Sequence, residues 1–534
     1  MLNYAKKNAL TLIFFILTSC LTTVLSIVLP YLNGVFIDSI SSQPRMQTIY
    51  FFVIFILTLS TISIFITYIF GILSVKIKLE LSFDSYQTIV KHIQGIPLLD
   101  YKKYNPTYLN QRISTDVDIL WEFFLNYIIN IIIQAISIVT LLYLVFSMSI
   151  KIFLAVVLLI PVYVGIYFWS RKPLYTFGLR SKESAATYFK TGNEQLELVA
   201  QIKANSLYNS SESWLQKGYK TYFRNIIHFT KVTYFFKSLD SAVSTLLSVG
   251  VLMIGGIEII HNHLTLGEFV VINSYTTMLF KTIKFFFTVG QEYQGARNSY
   301  FRINEILSIP VEKFGEYQID DINTIKLNHI KFQYTNKQLL QYQSMEFHKG
   351  NIYIIEGGNG TGKTTFILLL LGMLKPAETS ELIFNSTSIQ DLNMLSLRKN
   401  NISTYIQNMK CFDGSVYDNL SYISEMDKDS IVQRIYAMEL QDMYLNESFN
   451  IEKIFDKRVL ELSGGEQQKV ILLGNLLLDR EVLILDEPTS EMDEANVTFL
   501  CSYLRKISSK KTVIIITHDK KIAKGLDVYI AIHF

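Results

Sequence analysis

The chain has 534 residues, of which 50% are hydrophobic and only 18% charged, with a mean hydropathy of +0.27. That is too apolar for an ordinary soluble protein and too long for one domain, so a membrane part and a soluble part are expected. A net charge of +3, spread along the chain with no basic run interleaved with aromatics, argues against nucleic acid as a partner.

Lys6 and Lys7 precede an apolar run that ends near Tyr31. It is longer than a signal-peptide core and has no small-residue cleavage site, so it reads as a retained helix. Asn8 to Tyr31, Ile49 to Ser74, Phe123 to Ile150 and Ile152 to Ser170 can each cross a bilayer, and Ser241 to Ile257 makes a shorter fifth span. A sixth, about Leu266 to Val289, is interrupted by Lys281 and Lys284; it counts as a span because five would leave the two ends on opposite sides. Lys6, Lys7, Lys76, Lys78, Arg171, Lys172, Lys231, Lys237, Arg297 and Arg302 flank one set of span ends, against Arg45 and Lys151 at the other. The basic-rich side is expected to be cytoplasmic, which puts both termini there, in a multi-pass protein of a bacterial-type cell membrane.

The segments Val75 to Glu122 and Arg171 to Asp240 are long, charged and helix-favouring, so the spans should continue well into the cytosol. Turn residues at Tyr104 to Tyr108 and Asn205 to Ser213 predict that each segment goes down, turns and returns. On the sixth span Asn273, Thr277, Lys281, Lys284, Thr288 and Gln291 recur at helical spacing, as do Asn126, Asn130, Gln134 and Ser137 on the third. Both polar stripes should face protein or water, and two lysines one turn apart, with no acid foreseen beside them, predict a positive cavity.

Beyond Leu307 the pattern changes. Pro310 and charged residues through Asp321 read as a linker, followed by short strands at Thr324 to Leu327 and Ile330 to Phe332. Apolar strands then alternate with helical stretches: Ile352 to Ile355, Ile402 to Ile406, Val482 to Leu485, Thr512 to Ile516 and Val528 to Ile532. That order predicts an α/β domain on a mainly parallel sheet.

The strand at Ile352 runs into Gly357-Gly358-Asn359-Gly360-Thr361-Gly362-Lys363-Thr364-Thr365, a glycine loop that turns into a helix. Such a loop lets backbone N–H groups converge on phosphate, with Lys363 reaching the β/γ-phosphates and the Thr364 hydroxyl placed for Mg²⁺. Val482 to Leu485 ends in Asp486 and Glu487, the edge where a parallel sheet presents ligands. Asp486 would hold Mg²⁺ through water, and Glu487 would act as general base on the attacking water. Leu462-Ser463-Gly464-Gly465-Glu466-Gln467-Gln468 opens another helix, which can bind phosphate or serve as a plain N-cap. His518 ends the strand Thr512 to Thr517, within reach of a γ-phosphate or in a purely structural role.

In this order the motifs resemble the nucleotide-binding domain of ATP-binding cassette (ABC) transporters, and Leu462 to Gln467 is that family's signature. The resemblance implies ATP and Mg²⁺ as bound groups, Tyr334 stacked on adenine, and Gln407 as the residue that senses the γ-phosphate and joins Thr364 and Asp486 around the metal. It also implies that Ser490-Glu491-Met492-Asp493 forms the D-loop. The six spans with long cytosolic loops are similar to the exporter type of membrane domain, with Asn110 to Asp116 like the stretch after the first coupling turn and Phe301 to Leu307 like the join to the cassette. The expected architecture is an all-α six-helix transmembrane domain over 1–308, a linker over 309–323, and an α/β P-loop NTPase domain over 324–534.

Two departures from the family pattern stand out: Asp456-Lys457-Arg458-Val459 replaces a glycine-containing segment before the signature, and Glu466 replaces the glutamine more usual in exporters. Family ATP sites form between the first loop of one cassette and the signature of another, which implies a dimer, most simply a homodimer. The expected activity is ATP-driven export of a peptide of the bacteriocin kind, with multidrug or lipid-linked cargo as the alternative, and an ATP-gated channel or regulator as the rival from another class. With a first span beginning near Asn8, no N-terminal cysteine-protease domain is expected. Cys20, Cys411 and Cys501 fit no metal or disulfide spacing and read as packing residues.

Overall fold

The computed structural model describes residues 9–42, 45–334, 340–342, 344–358, 360–377, 379–407, 409–441, 454–490, 492–526 and 529–533. Asn359, Glu491 and the start of the last expected strand at Val528 lie outside these residues. The chain divides into two compact units, one holding the residues up to Lys91 with Pro106–Ser308, the other His92–Asn105 with the residues from Ile309 onward.

Long helices build the first unit. They are α1 (Ala9–Ser42), α2 (Met46–Gly95) up to Lys91, and, after the short α3 (Leu98–Tyr101) of the second unit, α4 (Pro106–Phe123), which continues through a π-turn at Phe124–Ile128 into α5 (Ile129–Met148). Then follow α6 (Ile150–Glu197), the short α7 (Val199–Ala204), α8 (Tyr208–Ile260) and α9 (Leu266–Leu307). Five of the long rods are long and apolar enough to cross a membrane; α9 is a continuous helix whose apolar run is broken by Lys281 and Lys284. Helices suit this setting because every backbone group is satisfied within the segment, and Pro30, Pro161 and Pro173 are accommodated inside them.

Both turns include residues that suggested them, Tyr104 and Asn105 in the first and Asn205 to Leu207 in the second, and each reversal begins earlier, before a short helix. The first begins at Ile96 and Pro97, where proline ends α2, and after α3 continues through Lys102 to Asn105 to Pro106, which opens α4 in the position where proline suits a helix start. The second lies between Glu197 and Tyr208, and the polar run Tyr208 to Ser213 is the first turn of α8. The short α3 segment belongs to the second unit: Gly95 accepts the Glu312 N–H at 2.7 Å, and Leu98 packs against the same buried apolar cluster as Phe314 and Ile319.

Leu141, Val145, Ile152, Val156, Val251, Ile272, Tyr275 and Leu279, from four helices, form one buried cluster in the first unit. Specific polar ties add to it. The Tyr275 hydroxyl donates to the Ile27 carbonyl at 3.0 Å, and Ser19 Oγ donates to Asn130 Oδ1 at 2.8 Å, so part of the third-span stripe joins α5 to α1. Asp116, buried on α4, accepts from Ser299 Oγ at 2.9 Å and from the Arg302 guanidinium, while Arg112 pairs with Glu305 at 2.8 Å. The lysine pair of α9 is not acid-free, as the sequence suggested: Lys284 Nζ lies 2.7 Å from Asp240 on α8. Asp240 falls just before the apolar run of α8, at the register that meets Lys284, which linear span boundaries hide.

The second unit contains β1 (Thr324–Asn328), β2 (Lys331–Phe332), β3 (Leu340–Gln341), β4 (Met345–His348), β5 (Ile352–Glu356), α10 (Lys363–Leu370), β6 (Glu381–Phe384), β7 (Thr387–Ser388), α11 (Met394–Asn400) and β8 (Ile402–Tyr405). After these come α12 (Val416–Ser424), α13 (Lys428–Ala437), α14 (Gly464–Leu477), β9 (Val482–Asp486), α15 (Glu494–Ser508), β10 (Thr512–Ile516), α16 (Lys520–Gly525) and β11 (Ile530–His533). The order β11-β5-β10-β9-β8 makes an all-parallel sheet. An antiparallel sheet β4-β1-β6-β7 and the β2-β3 pair accompany it.

Side chains alternate across the parallel sheet as its pleat requires. Ile354, Leu483, Leu485, Val513 and Ile515 face one apolar cluster with α14 and α15, whereas Tyr353, Ile355, Ile484, Ile514 and Ile516 face another with α10. Both faces are covered, which explains why β5, β9 and β10 read as unbroken apolar runs. Their carboxyl ends open together on one edge of the sheet.

Candidate active site

At that edge Gly360 and Gly362 adopt φ of 86° and 98°, a conformation that glycine reaches without strain. Gly362 caps α10, and the Tyr342 hydroxyl donates to its carbonyl at 2.8 Å. Burial pushes the Tyr342 phenol well above its usual range, which keeps it a neutral donor. Lys363 folds back over the loop, donating to the carbonyls of Gly357 at 2.7 Å and Gly358 at 3.0 Å, with its Nζ 2.8 Å from His518 Nε2. These are contacts that a phosphate group would replace.

Thr364 Oγ1 donates to Asp486 Oδ2 at 3.2 Å. Burial raises the Asp486 pKa, and the Thr364 hydrogen bond pulls it partly back. Glu487 sits at φ 50°, a left-handed conformation rarely taken by residues with a side chain, and its N–H donates to the Ile516 carbonyl at 2.8 Å. One carboxylate oxygen accepts from the His518 N–H at 3.3 Å and Thr517 Oγ1 at 3.4 Å; the other is buried without a hydrogen bond, 3.7 Å from His518 Nε2. Backbone strain with an unsatisfied carboxylate oxygen marks a group held in readiness rather than one that packs.

A cleft of about 730 Å³ is lined by Tyr334, Leu340, Gly360, Gly362, Lys363, Thr364, Thr365, Gln407, Asp486, Glu487 and His518. Of the sequence-predicted residues, Gly360, Gly362, Lys363, Thr364 and Thr365 of the first loop thus come together with the two acids, Gln407 and His518. Tyr334 is edge-on to Phe332, with its hydroxyl 3.2 Å from Thr365 Oγ1. Gly357, Gly358 and Thr361 shape the loop, Thr361 Oγ1 donating to Gly358 at 3.0 Å. Leu340, Tyr342 and Thr517 were not foreseen; their one signal is nearness in sequence to Tyr334 and His518.

The donor set suits Mg²⁺. A hydroxyl, one carboxylate and an amide offer hard oxygen ligands, and a cation that keeps its waters and takes phosphate oxygens needs few protein groups. Gly360 stands open to the cleft, with no atom within 4 Å of where a Cβ would be. Among the described residues no group of three or more His, Cys, Asp or Glu could hold a metal by itself, so the phosphates would have to complete the shell.

Ser463, Gly464, Gly465 and Glu466 are not among the residues lining the cleft. They start α14 with a capping box, in which Ser463 N–H donates to Glu466 Oε2 at 2.7 Å and Glu466 N–H to Ser463 Oγ at 3.4 Å. The Ser463 hydroxyl also donates to Glu466 Oε2 at 2.7 Å, and hydrogen bonds from Ser463 hold this carboxyl below its usual pKa. The unusual segment before it pairs through its backbone with the start of α12, Val416 N–H donating to Lys457 and Val459 N–H to Gly414.

Two family models cover most of the chain: "ABC transporter transmembrane region" over residues 12–283 and "ABC transporter" over residues 340–490. The chain belongs to the ABC transporters. It is an exporter-type half-transporter, a multi-pass membrane protein fused to an ATPase that couples ATP hydrolysis to transport. The transport/processing ATP-binding protein ComA of Streptococcus pneumoniae serotype 4 is 22% identical over 517 residues, 95% of this chain and 71% of that protein. The lactococcin-G-processing and transport ATP-binding protein LagD of Lactococcus lactis subsp. lactis is 27% identical over 55% of this ABC transporter and 43% of its own length. An ATP-dependent lipid A-core flippase of Pseudoalteromonas atlantica is 27% identical over 50% and 47%. A solved bacterial Atm1-family ABC exporter with ATP bound shares the fold, with a TM-score of 0.81 at 16% identity over 99% of this chain and 93% of that one.

Proposed function

We propose that two copies of this chain form a peptide exporter in a bacterial cytoplasmic membrane, with termini and ATPase domains in the cytoplasm. Residues 1–308 form the membrane domain, 309–323 the linker and 324–534 the ATPase. The observation that carries the two-copy reading is the cleft itself: it gathers Lys363, Thr364, Gln407, Asp486, Glu487 and His518 but not Ser463 to Glu466. A second copy supplies its own Ser463 helix start to the open side, and this chain reciprocates. The basic residues at one set of helix ends support the orientation. Peptide cargo rests on the relatives' own descriptions, above all the protein aligned over 95% of this chain.

In this reading Tyr334 stacks on adenine, and Lys363 leaves the loop carbonyls for the β/γ-phosphates, which backbone N–H groups at the start of α10 would also meet. Thr364, Gln407 and Asp486 would hold Mg²⁺, which would supply positive charge to the phosphate oxygens. Glu487 takes a proton from water as the water oxygen bonds to the γ-phosphorus and the bond to the ADP oxygen breaks. His518 steadies the Glu487 carboxylate and donates to the γ-phosphate. Closure around two ATP sites drives the membrane helices, and hydrolysis reopens them.

Mixing two inactive chains tests the shared site. Lys363→Ala disables the loop and Ser463→Arg the signature, and a mixed dimer of the two retains one site built from intact halves. ATPase activity is expected only in the mixture. Two variants that stay silent when co-purified as a dimer would reject the shared site.

A further inference from the structure

On α6 and α8, well away from the ATP cleft in sequence, Phe177, Arg180, Arg224, Asn225 and His228 line a recess of about 230 Å³. Its volume equals that of about eight waters. The His228 ring stands at 67° to Phe177 with centroids 4.4 Å apart, and the Arg180 guanidinium lies 6.0 Å from the same ring. Gly178 makes this approach possible, since a Cβ there would already press on Phe229 at 3.3 Å.

What sets the recess apart is its charge. Across helices, Lys151 on α6 pairs with Glu258 on α8, Lys284 on α9 with Asp240 on α8, and Arg302 on α9 with Asp116 on α4. Among the described residues no ion pair is formed by Arg180 or Arg224, although two guanidinium groups on adjacent helices repel each other. Two forked cations, an amide and an imidazole around an aromatic wall are the donors that a carboxylate needs.

We infer that this recess binds the carboxylate end of the exported peptide on the cytoplasmic side, an inference that rests on the orientation and cargo class proposed above. Distance from the bilayer favours a soluble anion over a lipid headgroup. Arg180 lies about 14 Å along the helix axis beyond Arg171, the first charge after the apolar stretch of α6, and Arg224 about 20 Å beyond Lys237. The polar layer flanking the hydrocarbon is about 5–8 Å thick. Basic residues that only anchor a helix to headgroups belong in that layer, where the ends of the apolar runs place Arg171, Lys172 and Lys237.

The test uses the full chain with Cys20, Cys411 and Cys501 replaced by alanine and Asn225→Cys as reporter, in nanodiscs of phosphatidylcholine. N-acetyl-Gly-Gly-Phe with a free carboxylate should protect the new cysteine from maleimide at about 10-fold lower concentration than the same peptide as its C-terminal amide. The difference should vanish in Arg180→Gln with Arg224→Gln, and in either single variant if the double one does not elute as the parent does. Equal protection by acid and amide, a difference that survives loss of both arginines, or protection given by phosphatidylglycerol nanodiscs without peptide would each overturn the inference. Sidedness is read separately. A cysteine at 225 that reacts with an impermeant maleimide in intact cells would reject the proposed orientation before any peptide is added.

Discussion

Asp38, near the end of α1, accepts the backbone N–H of Gly267 at 2.8 Å, and its second oxygen accepts the Thr265 hydroxyl at 2.6 Å. A carboxylate from one helix thus caps the start of α9, where the helix dipole favours negative charge. A Cβ on Gly267 would run into the Gly34 carbonyl and the Asp38 carboxylate, so the two helices meet here backbone to backbone. Asp38→Ala is expected to cost about 1–2 kcal/mol, read as a lower thermal midpoint in detergent. Gly267→Ala should lower it further, because it pushes the helices apart as well as disturbing the cap. Equal midpoints for Gly267→Ala and the parent would show that this contact does not hold α1 to α9.

At the ATP cleft, Lys363 and Glu487 should fail in different ways. Lys363→Ala removes the charge that faces the phosphates, and ATP affinity should fall about 10- to 100-fold. Glu487→Gln keeps the shape of the site and should leave ATP affinity within about threefold while lowering turnover about 10²- to 10⁴-fold. Binding of a fluorescent ATP analogue, measured beside phosphate release, separates the two. Near-normal turnover in Glu487→Gln would remove Glu487 as the base.

The α4–α9 junction offers a stability test. Asp116 is 2% exposed and depends on Arg302 and Ser299, so Arg302→Ala leaves a buried carboxylate without its counter-charge. The expected loss is about 3 kcal/mol. The Arg112–Glu305 pair, whose acid is 62% exposed, should be worth under about 1 kcal/mol. A double-mutant cycle on each pair checks the order, and similar coupling energies would contradict it.

Much of this was legible in the sequence for identifiable reasons. A loop such as Gly357 to Thr364 needs fixed spacing to wrap a phosphate, so its chemistry is written locally, and the covered strands at Ile352, Val482 and Thr512 announce a parallel sheet by being apolar on both faces. Partners in space were harder to read. Asn110 to Asp116 and Phe301 to Leu307 each stood out alone, yet nothing in either stretch says that Arg112 meets Glu305 or that Asp116 meets Arg302. The antiparallel strands β4, β6 and β7 are two to four residues long, too short to show a period. The recess at Arg180 and Arg224 depends on α6–α8 register, which no single segment carries.

Protonation should act on the signature helix. Ser463 hydrogen bonds hold the folded-state Glu466 pKa below its unfolded value, so its stabilising contribution is present above the unfolded value of about 4.3 and is lost as pH falls through the folded one. The thermal midpoint of the parent should therefore exceed that of Glu466→Ala by a constant amount from neutral pH down to about pH 5, and the two should converge below it. A gap that widens on acidification would have the wrong sign for this capping box.

The lysines of α9 make the last case, because the structure divides two residues that the sequence treats alike. Lys284 is paired with Asp240, whose other carboxylate oxygen is already buried without a hydrogen bond. Lys281 is exposed and makes no ion pair among the described residues. Of the positive cavity expected from both, the pair Lys284–Asp240 is close to neutral, and only Lys281 is left to act on cargo. Lys284→Ala strands a partly buried acid, so it should cost about 1–3 kcal/mol, between the limits for exposed and buried pairs. Exchanging the charges, Lys284→Asp with Asp240→Lys, should recover much of that loss. Lys281→Ala should leave the thermal midpoint unchanged but reduce the stimulation of ATPase by anionic peptides. Thermal unfolding and peptide-stimulated phosphate release, measured on the same preparations, decide the matter. If Lys281→Ala unfolds earlier, or Lys284→Ala does not, the two lysines have been assigned the wrong way round.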